Sequence, residues 1–257
     1  MKIKNMTPTL GVPLQKALSV KRRAGSREEA QFRAWLAVTY GATTVDGAGN
    51  IHIRKGASPT TCFAAHTDSC HYSDGFNTYR EEHGIVWAGA ECLGADDAAG
   101  VAILCHMLSN GVPGHYIFVA AEEVGGVGAA HIAENFSYVF DGIQRSICFD
   151  RAGPSEVVTV QSGERLASSE FADALSGELA KQGLLYSEST TGVFTDNALW
   201  GALVPESVNV ACAYDFQHSP DEYLDLRHLE ALAKAAVLID WESLPTIRHR
   251  SVHPGYE

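Results

Sequence analysis

The chain has 257 residues, of which 46% are hydrophobic and 19% charged, a composition typical of a globular enzyme and too apolar for a disordered protein. This length is near the upper limit of one hydrophobic core and predicts a single domain. The formal charge of −12 disfavours nucleic-acid binding, which requires a basic surface. Because we find no signal peptide, no membrane span and no C-x-x-C pair among the six cysteines, we expect a soluble, cytoplasmic protein with reduced thiols and no membrane partner.

The first predicted helix begins after Ser26 and ends at Gly41. Ser26 and Glu29 have the spacing of a capping box, in which Ser26 accepts a backbone hydrogen bond and Glu29 reaches back to it. Apolar residues at helical spacing follow, and glycine is typical of the position after a helix. Apolar runs then predict strands at residues 50–54, 61–65 and 85–88.

From residue 98 onward, the pattern alternates between helix and strand. Predicted helices occupy residues 98–108, 129–135, 168–182 and 225–239, and predicted strands occupy residues 116–121, 146–149, 157–160 and 208–211. This alternation favours an α/β fold, a three-layer αβα sandwich with a mixed, largely parallel central sheet. We expect residues 1–241 to form one catalytic domain and residues 242–257 to form a polar tail that frays.

Five short segments place acidic or histidine side chains at predicted strand ends or before a helix. H-x-D motifs and adjacent aspartates are common in proteins, and aspartates often cap helices or occupy solvated turns. Two adjacent glutamates that end a buried strand are more informative, because burying them is costly unless a cation is near. The segments are His66-Thr-Asp68, GADDAAG at 94–100, Glu122-Glu123, Asp150 after SICF, and His218 in YDFQHSPDEYLDL.

Together, the five segments indicate metal-assisted hydrolysis. Functional residues of such sheets gather at the carboxyl ends of the strands, so these side chains can converge on one edge. Two imidazoles with several carboxylates suit zinc, and a bridging carboxylate suits a site with two metal ions. Such a site lowers the pKa of a bound water, and an additional carboxylate can act as general base. Asp68 lies two residues after His66 on an extended chain, and can therefore orient its imidazole.

The motif order HTD…GADDAAG…AAEEVGG…FDRAG…HSPDEYLDL resembles that of the di-zinc exopeptidase clan (clan MH), over roughly residues 12 to 240. This clan includes peptidase T, the carboxypeptidase G-like enzymes and compact bacterial aminopeptidases. The resemblance implies two zinc ions, with cobalt or manganese as alternatives. It further implies that Asp96 bridges the metals and precedes a cis peptide bond to Asp97. The remaining implied roles are first-metal ligands His66 and Asp150, second-metal ligands Glu123 and His218, orienting residue Asp68, and general base Glu122.

The chain differs from several members of this clan. The interval between Asp150 and His218 is too short for a lid domain, and the interval between Asp68 and Asp96 is too short for the insert of assembly-forming aminopeptidases. The layout therefore resembles the compact aminopeptidases, without lid or dimerisation insert. Another segment lies where the clan places a substrate-contacting loop. Its residues Thr195, Asp196 and Asn197 are interpreted equally as substrate contacts or as a helix N-cap.

The favoured function is aminopeptidase cleavage of small peptides. One alternative is a carboxypeptidase or N-acyl amino acid deacylase, in which Arg151 would bind a substrate carboxylate, although a structural ion pair is the preferred interpretation of Arg151. A second is a single-zinc acyltransferase like the glutaminyl cyclases. A binding module on an inactive scaffold is disfavoured, because every implied ligand and the base are present. Cys70, two residues after Asp68, is interpreted as a small residue beside the site.

Overall fold

A computed structural model describes residues 6–249 of the chain. Its helices are α1 Pro8–Leu18, α2 Arg27–Tyr40, α3 Ala95–Ser109, α4 Val127–Asn135, α5 Ser169–Lys181, α6 Asp196–Trp200 and α7 Leu226–Leu238. Its strands are β1 Thr44–Val45, β2 Ile51–Lys55, β3 Thr61–His66, β4 Tyr79–Glu82, β5 Ile85–Ala88, β6 Gly114–Val119, β7 Arg145–Arg151, β8 Glu156–Val158, β9 Val160–Gln161, β10 Glu164–Arg165, β11 Ser187–Ser189, β12 Glu206–Ala211, β13 Tyr214–Asp215 and β14 Tyr223–Asp225. Every helix of the described residues is too short or too polar to cross a lipid bilayer.

The central sheet contains eight strands in the order β1-β2-β6-β3-β7-β12-β8-β11. Its middle is parallel, because β3 pairs in parallel with both β6 and β7, and β12 pairs in parallel with β7. The pairs of β2 with β6 and of β12 with β8 are antiparallel. The predicted mixed, largely parallel sheet is confirmed. A smaller four-stranded sheet has the order β13-β14-β5-β4, and the connection between β13 and β14 contains His218.

Helices cover both faces of the central sheet. Alternate residues of one strand enter different cores: Phe63 of β3 belongs to the larger cluster with α1, α2, α3 and α7, whereas Cys62 and Ala64 belong to a second cluster with α4 and α6. Side chains two residues apart on a strand lie on the same face of the sheet. When both faces of a parallel sheet are buried, each strand has a nearly continuous run of apolar residues in its sequence. The segment TCFAAH is fully buried for this reason, and the predicted three-layer αβα architecture is confirmed.

Helix α3 lies against the middle of the sheet at very short range. Asp96 and Asp97 have non-helical backbone angles, so the regular helix begins near residue 98, as the apolar pattern predicts. Asp97 joins the end of β3 to the start of α3, because its carboxylate accepts hydrogen bonds from the backbone N–H groups of His66 at 3.1 Å and Gly100 at 2.9 Å. A Cβ at Gly100 would lie 2.1 Å from the carbonyl oxygen of Phe149. Only glycine therefore permits this approach of helix and strand.

We expect Gly100→Ala to lower the free energy of unfolding by roughly 1–3 kcal/mol or more, because the added methyl group meets backbone that cannot move aside. Denaturant unfolding measures this change. Gly177→Ala in α5 is the matched control, since nothing lies within 4 Å of its Cβ position. That control is expected to be neutral or stabilising by up to about 1 kcal/mol. Equal unfolding midpoints for the two variants would contradict the proposed packing constraint.

Some local predictions need correction. Ser26 accepts the predicted hydrogen bond from Glu29 N, but the Glu29 carboxylate does not return to Ser26. It accepts hydrogen bonds from Thr67 and Arg33 instead, so the capping box is only half formed. Of the predicted fraying tail, residues 250–257 lie outside the described residues. The described part is docked, since the backbone N–H groups of residues 247 and 248 donate to the buried Glu206 carboxylate.

Candidate metal centre and active site

The structure brings all five predicted segments to one edge of the central sheet. His66 is the last residue of β3, Asp150 lies near the end of β7, and Glu123 follows β6 in the next loop. Asp96 stands at the entry to α3, and its peptide bond to Asp97 is cis, as the resemblance implies. His218 reaches this edge from the connection between β13 and β14.

Asp96 lies between two imidazoles. Its Oδ1 is 2.9 Å from Nε2 of His66, and its Oδ2 is 3.2 Å from Nε2 of His218. The two oxygens of one carboxylate thus face two separate rings. His66 also lies 3.5 Å from Asp150 Oδ1, and His218 lies 2.9 Å from Glu123 Oε2. This is the arrangement expected of a carboxylate that bridges two cations.

Two sets of potential ligand atoms result. The first cluster is His66, Asp96 and Asp150, and the second cluster is Cys70, Glu123 and His218; within each cluster, one potential ligand atom per residue lies within 4.8 Å of the others. The first cluster is almost completely buried, whereas the His218 side chain is 47% exposed. The second cluster therefore opens towards solvent and the first does not.

The electrostatics of these clusters fit metal ions. Burial lowers the pKa of His66, but Asp150, Asp68 and Asp96 around the ring outweigh it and raise that pKa well above its usual value. Hydrogen bonding to Asp96 and Glu123 raises the pKa of His218 to about 11. The carboxylates around both rings thus favour positive charge at this place. A bound dication would supply that charge, and a ligating imidazole gives up its proton when it binds a metal.

An unpaired carboxylate oxygen gives a second indication that this place suits a cation. The buried Oε1 of Glu123 has no hydrogen-bond partner within the described residues. Leaving a charged group buried without a partner is costly, and buried charges are usually paired or coordinate metals. The donor set of imidazole nitrogen and carboxylate oxygen suits zinc and similar borderline metals. The residues present therefore fit a site for two metal ions.

Asp68 supports both His66 and the glutamate loop. Its Oδ1 lies 3.4 Å from His66 Nδ1, and its two oxygens accept the backbone N–H groups of Glu122 and Glu123, each at 3.1 Å. Burial opposes ionisation, but His66 and these two N–H groups together lower the pKa of Asp68. An ionised Asp68 thus fixes the orientation of the imidazole and the position of the glutamates.

We expect Asp68→Asn to lower metal affinity or activity by roughly 10–100-fold, because the amide cannot accept both backbone hydrogen bonds and is a weaker partner for His66. Titration of the metal-free protein with zinc measures the affinity. Asp173→Asn, on the exposed face of α5, is the control for an aspartate-to-asparagine change. Zinc affinity and turnover equal to those of the control would show that Asp68 has no orienting role.

Asp150 is held by three neighbours that come from later parts of the chain. Thr195 donates to its Oδ2 at 2.6 Å, and the Tyr214 hydroxyl donates to its Oδ1 at 3.1 Å. Asn209 accepts from the backbone N–H of Asp150 and donates to its carbonyl oxygen. Sequence analysis missed Tyr214 and Asn209, and it assigned Thr195 only as a substrate contact or N-cap. Thr195 occupies the N-cap position of α6, but its side chain makes no cap hydrogen bond.

Glu122 lies beside both clusters and belongs to neither. Burial raises the pKa of Glu122 to about 8, with the Asp150, Glu123 and Asp96 carboxylates adding to this effect and His66 opposing it. The preceding residue, Ala121, has a positive φ of 58°, and His218 has one of 62°. Left-handed backbone is uncommon for residues other than glycine, and such strain concentrates at functional sites.

Glu222 is a buried residue that the sequence analysis did not select. It accepts hydrogen bonds from the backbone N–H groups of Leu93, Gly94 and Asp96, at 2.7, 3.0 and 3.1 Å. These bonds hold the loop that places Asp96 between the imidazoles. Burial and the neighbouring Asp96 raise the pKa of Glu222 to about 7. Its only sequence signal was its position in the segment HSPDEYLDL, four residues after His218.

A cleft with a volume of about 100 Å³ opens beside the clusters, and Asp96, Glu122, Asp150 and His218 form part of its wall. Other residues that line it are Arg151, Ala152, Gln161, Val193, Phe194, Thr195, Asn209, Tyr214 and Gln217. Arg151 donates to Glu156 at 2.7 Å, which is the ion pair that was preferred on sequence grounds. Asp196 and Asn197 are buried and do not line this cleft.

Comparison with known proteins identifies solved structures that have the same fold. Neither a family model nor a curated protein matches the chain. Solved structures with the same fold include an aminopeptidase PepT from Bacillus cereus, with a TM-score of 0.71 and 14% identity over 90% of this chain and 98% of that chain. A tripeptidase from Staphylococcus aureus has a TM-score of 0.71 and 12% identity over 90% of this chain and 97% of that one. The TET1 peptidase of Pyrococcus horikoshii has a TM-score of 0.69 and 17% identity, over 88% and 97%.

The chain has the fold of the zinc exopeptidase clan. Its largely parallel sheet and covering helices agree with the implied architecture. Identities of 12–17% establish the fold and not the activity. The chemistry of the site must therefore be argued from the two clusters around Asp96.

Proposed function

We propose that the protein is a two-metal aminopeptidase that releases single residues from the N-termini of small peptides. The observation that carries this proposal is the placement of one Asp96 oxygen against His66 and the other against His218. His66, Asp96 and Asp150 would hold one ion, and Glu123, His218 and Asp96 would hold the other. Zinc is the expected metal, and cobalt or manganese can replace it where ligands are mixed imidazole and carboxylate.

Metal ions held by these residues would supply Lewis acidity to the scissile carbonyl and would increase the acidity of the attacking water. Glu122 is the general base of the proposal: it accepts a proton from that water and donates it to the leaving amine. Asp68 holds the His66 ring and the backbone of Glu122 in place during this transfer. Thr195 and Tyr214 keep Asp150 from rotating.

The character of the cleft supports an aminopeptidase over a carboxypeptidase or deacylase. Among its lining residues, Arg151 is the one arginine or lysine, and its guanidinium is already paired with Glu156. Glu156 thus already neutralises much of the Arg151 charge, whereas the protonated amine of a peptide N-terminus meets the acidic side chains of the cleft wall.

The presence of two clusters supports a two-metal hydrolase over a single-zinc acyltransferase. Glu123 and His218 would have no metal to bind in a single-zinc site, and the unpaired oxygen of the buried Glu123 carboxylate would have no cation beside it. The same intact set, with Glu122 beside it, supports catalysis over a purely binding role. We further propose that residues 1–241 act as one catalytic domain without a lid or dimerisation insert.

The first experiment is mass spectrometry of two peptide pools treated with the zinc-reconstituted protein. The pools have the same sequences, one with free and one with acetylated N-termini. We expect stepwise loss of single N-terminal residues from the free pool only. Release of acetyl groups or of C-terminal residues would replace the aminopeptidase by the deacylase or carboxypeptidase alternative. Two bound zinc ions per chain are expected in the same preparation, and one ion would favour the acyltransferase.

A further inference from the structure

The second cluster contains a residue that the proposed ligand set leaves unused. Cys70 follows β3 by four residues, and its Sγ lies within 4.8 Å of a Glu123 carboxylate oxygen and of a His218 ring nitrogen. It is the one exposed cysteine among the six, whereas the others are buried. The thiol therefore lies beside the solvent-open half of the site and is not part of the hydrophobic core.

The loop that carries Cys70 is firmly anchored. The flanking residues Ser69 and His71 are buried, and the Ser69 hydroxyl lies 2.8 Å from the His71 ring. The backbone N–H of Ser69 donates to the carbonyl oxygen of Arg22 at 2.9 Å. Arg22 is itself fully buried and donates to the carbonyl oxygens of Thr67 and Gly94, both at 2.9 Å. The position of Cys70 over the second cluster is thus fixed by the same buried arginine that joins this loop to the loop before α3.

Glu123 provides an independent sign that a cation is expected at this point. Its side chain is only 6% exposed, and Oε2 is occupied by His218 at 2.9 Å. Its other oxygen, Oε1, is buried without a hydrogen-bond partner within the described residues. A carboxylate oxygen in that condition is costly unless a cation or a donor satisfies it. The carboxylate of Glu123, the imidazole of His218 and the thiol of Cys70 each bring a potential ligand atom within 4.8 Å of the others.

We propose that Cys70 is a thiolate ligand of the second metal, together with Glu123, His218 and the bridging Asp96. This inference rests on the proposed two-metal site and extends it by a sulfur donor. The second metal would then have four protein ligands, and water or substrate would bind to it as a fifth ligand, which zinc accepts at catalytic sites. Metal binding removes the thiol proton, which leaves to solvent as the Sγ–metal bond forms.

A sulfur ligand changes which metals the second site prefers. Thiolate is a soft donor and favours zinc, whereas carboxylate and water suit manganese. The first cluster has only nitrogen and oxygen donors. The two halves of the site are therefore expected to differ in metal preference, with the sulfur-containing half discriminating against manganese. Cys70→Ser is expected to weaken this discrimination and to leave the first cluster unchanged.

The test is X-ray absorption spectroscopy of the full-length, zinc-loaded protein under reducing conditions, after the zinc content has been measured. We expect two zinc ions per chain and a sulfur scatterer at about 2.3 Å. Cys70→Ser should lose this scatterer. Cys62→Ala, which removes a thiol buried inside β3, is the matched control and should retain it. Cobalt-loaded protein should show a sulfur-to-cobalt charge-transfer absorption that follows the same pattern.

The outcomes separate this inference from the proposed function. Two zinc ions surrounded only by nitrogen and oxygen would overturn the sulfur ligand and leave the two-metal aminopeptidase intact. A sulfur scatterer that persists in Cys70→Ser would also overturn it, because another thiol would then be the ligand. One zinc ion or none in the unaltered protein would overturn the two-metal site and the sulfur ligand with it.

Discussion

Glu122→Gln is expected to lower kcat by about 10²- to 10⁴-fold while the protein keeps two metal ions per chain. Glutamine has the shape of glutamate but cannot accept the proton of the attacking water. Metal content should not change, because the Glu122 side chain belongs to neither cluster. Steady-state kinetics on a dipeptide that the unaltered enzyme cleaves, with metal analysis of the same sample, measures both quantities.

The neighbouring residue provides the sharpest comparison. Glu123→Gln carries the same chemical change one position along the chain, yet it removes a carboxylate that faces His218. That variant should lose the second metal, whereas Glu122→Gln should not. Glu134→Gln, on the exposed side of α4, should behave like the unaltered enzyme. Near-normal turnover in Glu122→Gln would remove Glu122 from the role of general base.

Asp96→Asn is expected to reduce the metal content below two ions per chain and to lower activity by about 10³-fold or more. The amide offers a neutral oxygen to one imidazole and an N–H group to the other, so it cannot serve two cations at once. Metal ions contribute several kcal/mol to transition-state stabilisation, and each 1.36 kcal/mol corresponds to a factor of ten in rate. Metal analysis after gel filtration, combined with kinetics at saturating substrate, tests both parts.

His218→Ala separates bridging from simple ligation. It removes a ligand of the second cluster only, so the first metal should remain bound at close to one ion per chain. Asp96→Asn should weaken both ions. His83→Ala, at a side chain that is 92% exposed, controls for the loss of an imidazole elsewhere. If Asp96→Asn kept two tightly bound ions, the carboxylate would not be a bridge.

The alternation of apolar segments predicted the central elements of the fold well. The segments TCFAA and SICF became the parallel strands β3 and β7, because the residues of a strand buried on both faces are mostly apolar. Helix α1 was missed, although Leu10, Leu14 and Leu18 have helical spacing and are buried against α3. The short strands β4, β13 and β14 were also missed, since two to four residues carry too little periodicity to distinguish them from loops.

The candidate ligands were predictable for a different reason. A carboxylate or imidazole directly after a buried strand is exceptional, because burying it is costly without a partner. The supporting residues carry no such local signal. Asn209 lies inside a strand, and Glu222 lies in a polar segment, so neither differs from ordinary residues in sequence. Their partners are distant in the chain, since Glu222 and Asp96 are 126 positions apart.

The sequence by itself determined which residue types stand at the ends of the buried strands, and hence the nature of the chemistry. The cost of burying charge is a local property, so it can be recognised in a short segment. Only the tertiary structure decided that the two oxygens of Asp96 face different imidazoles and that Cys70 lies beside Glu123 and His218. It also placed Asp196 and Asn197 away from the cleft wall. These contacts depend on the order and twist of strands that are far apart in the chain, and no single segment contains that information.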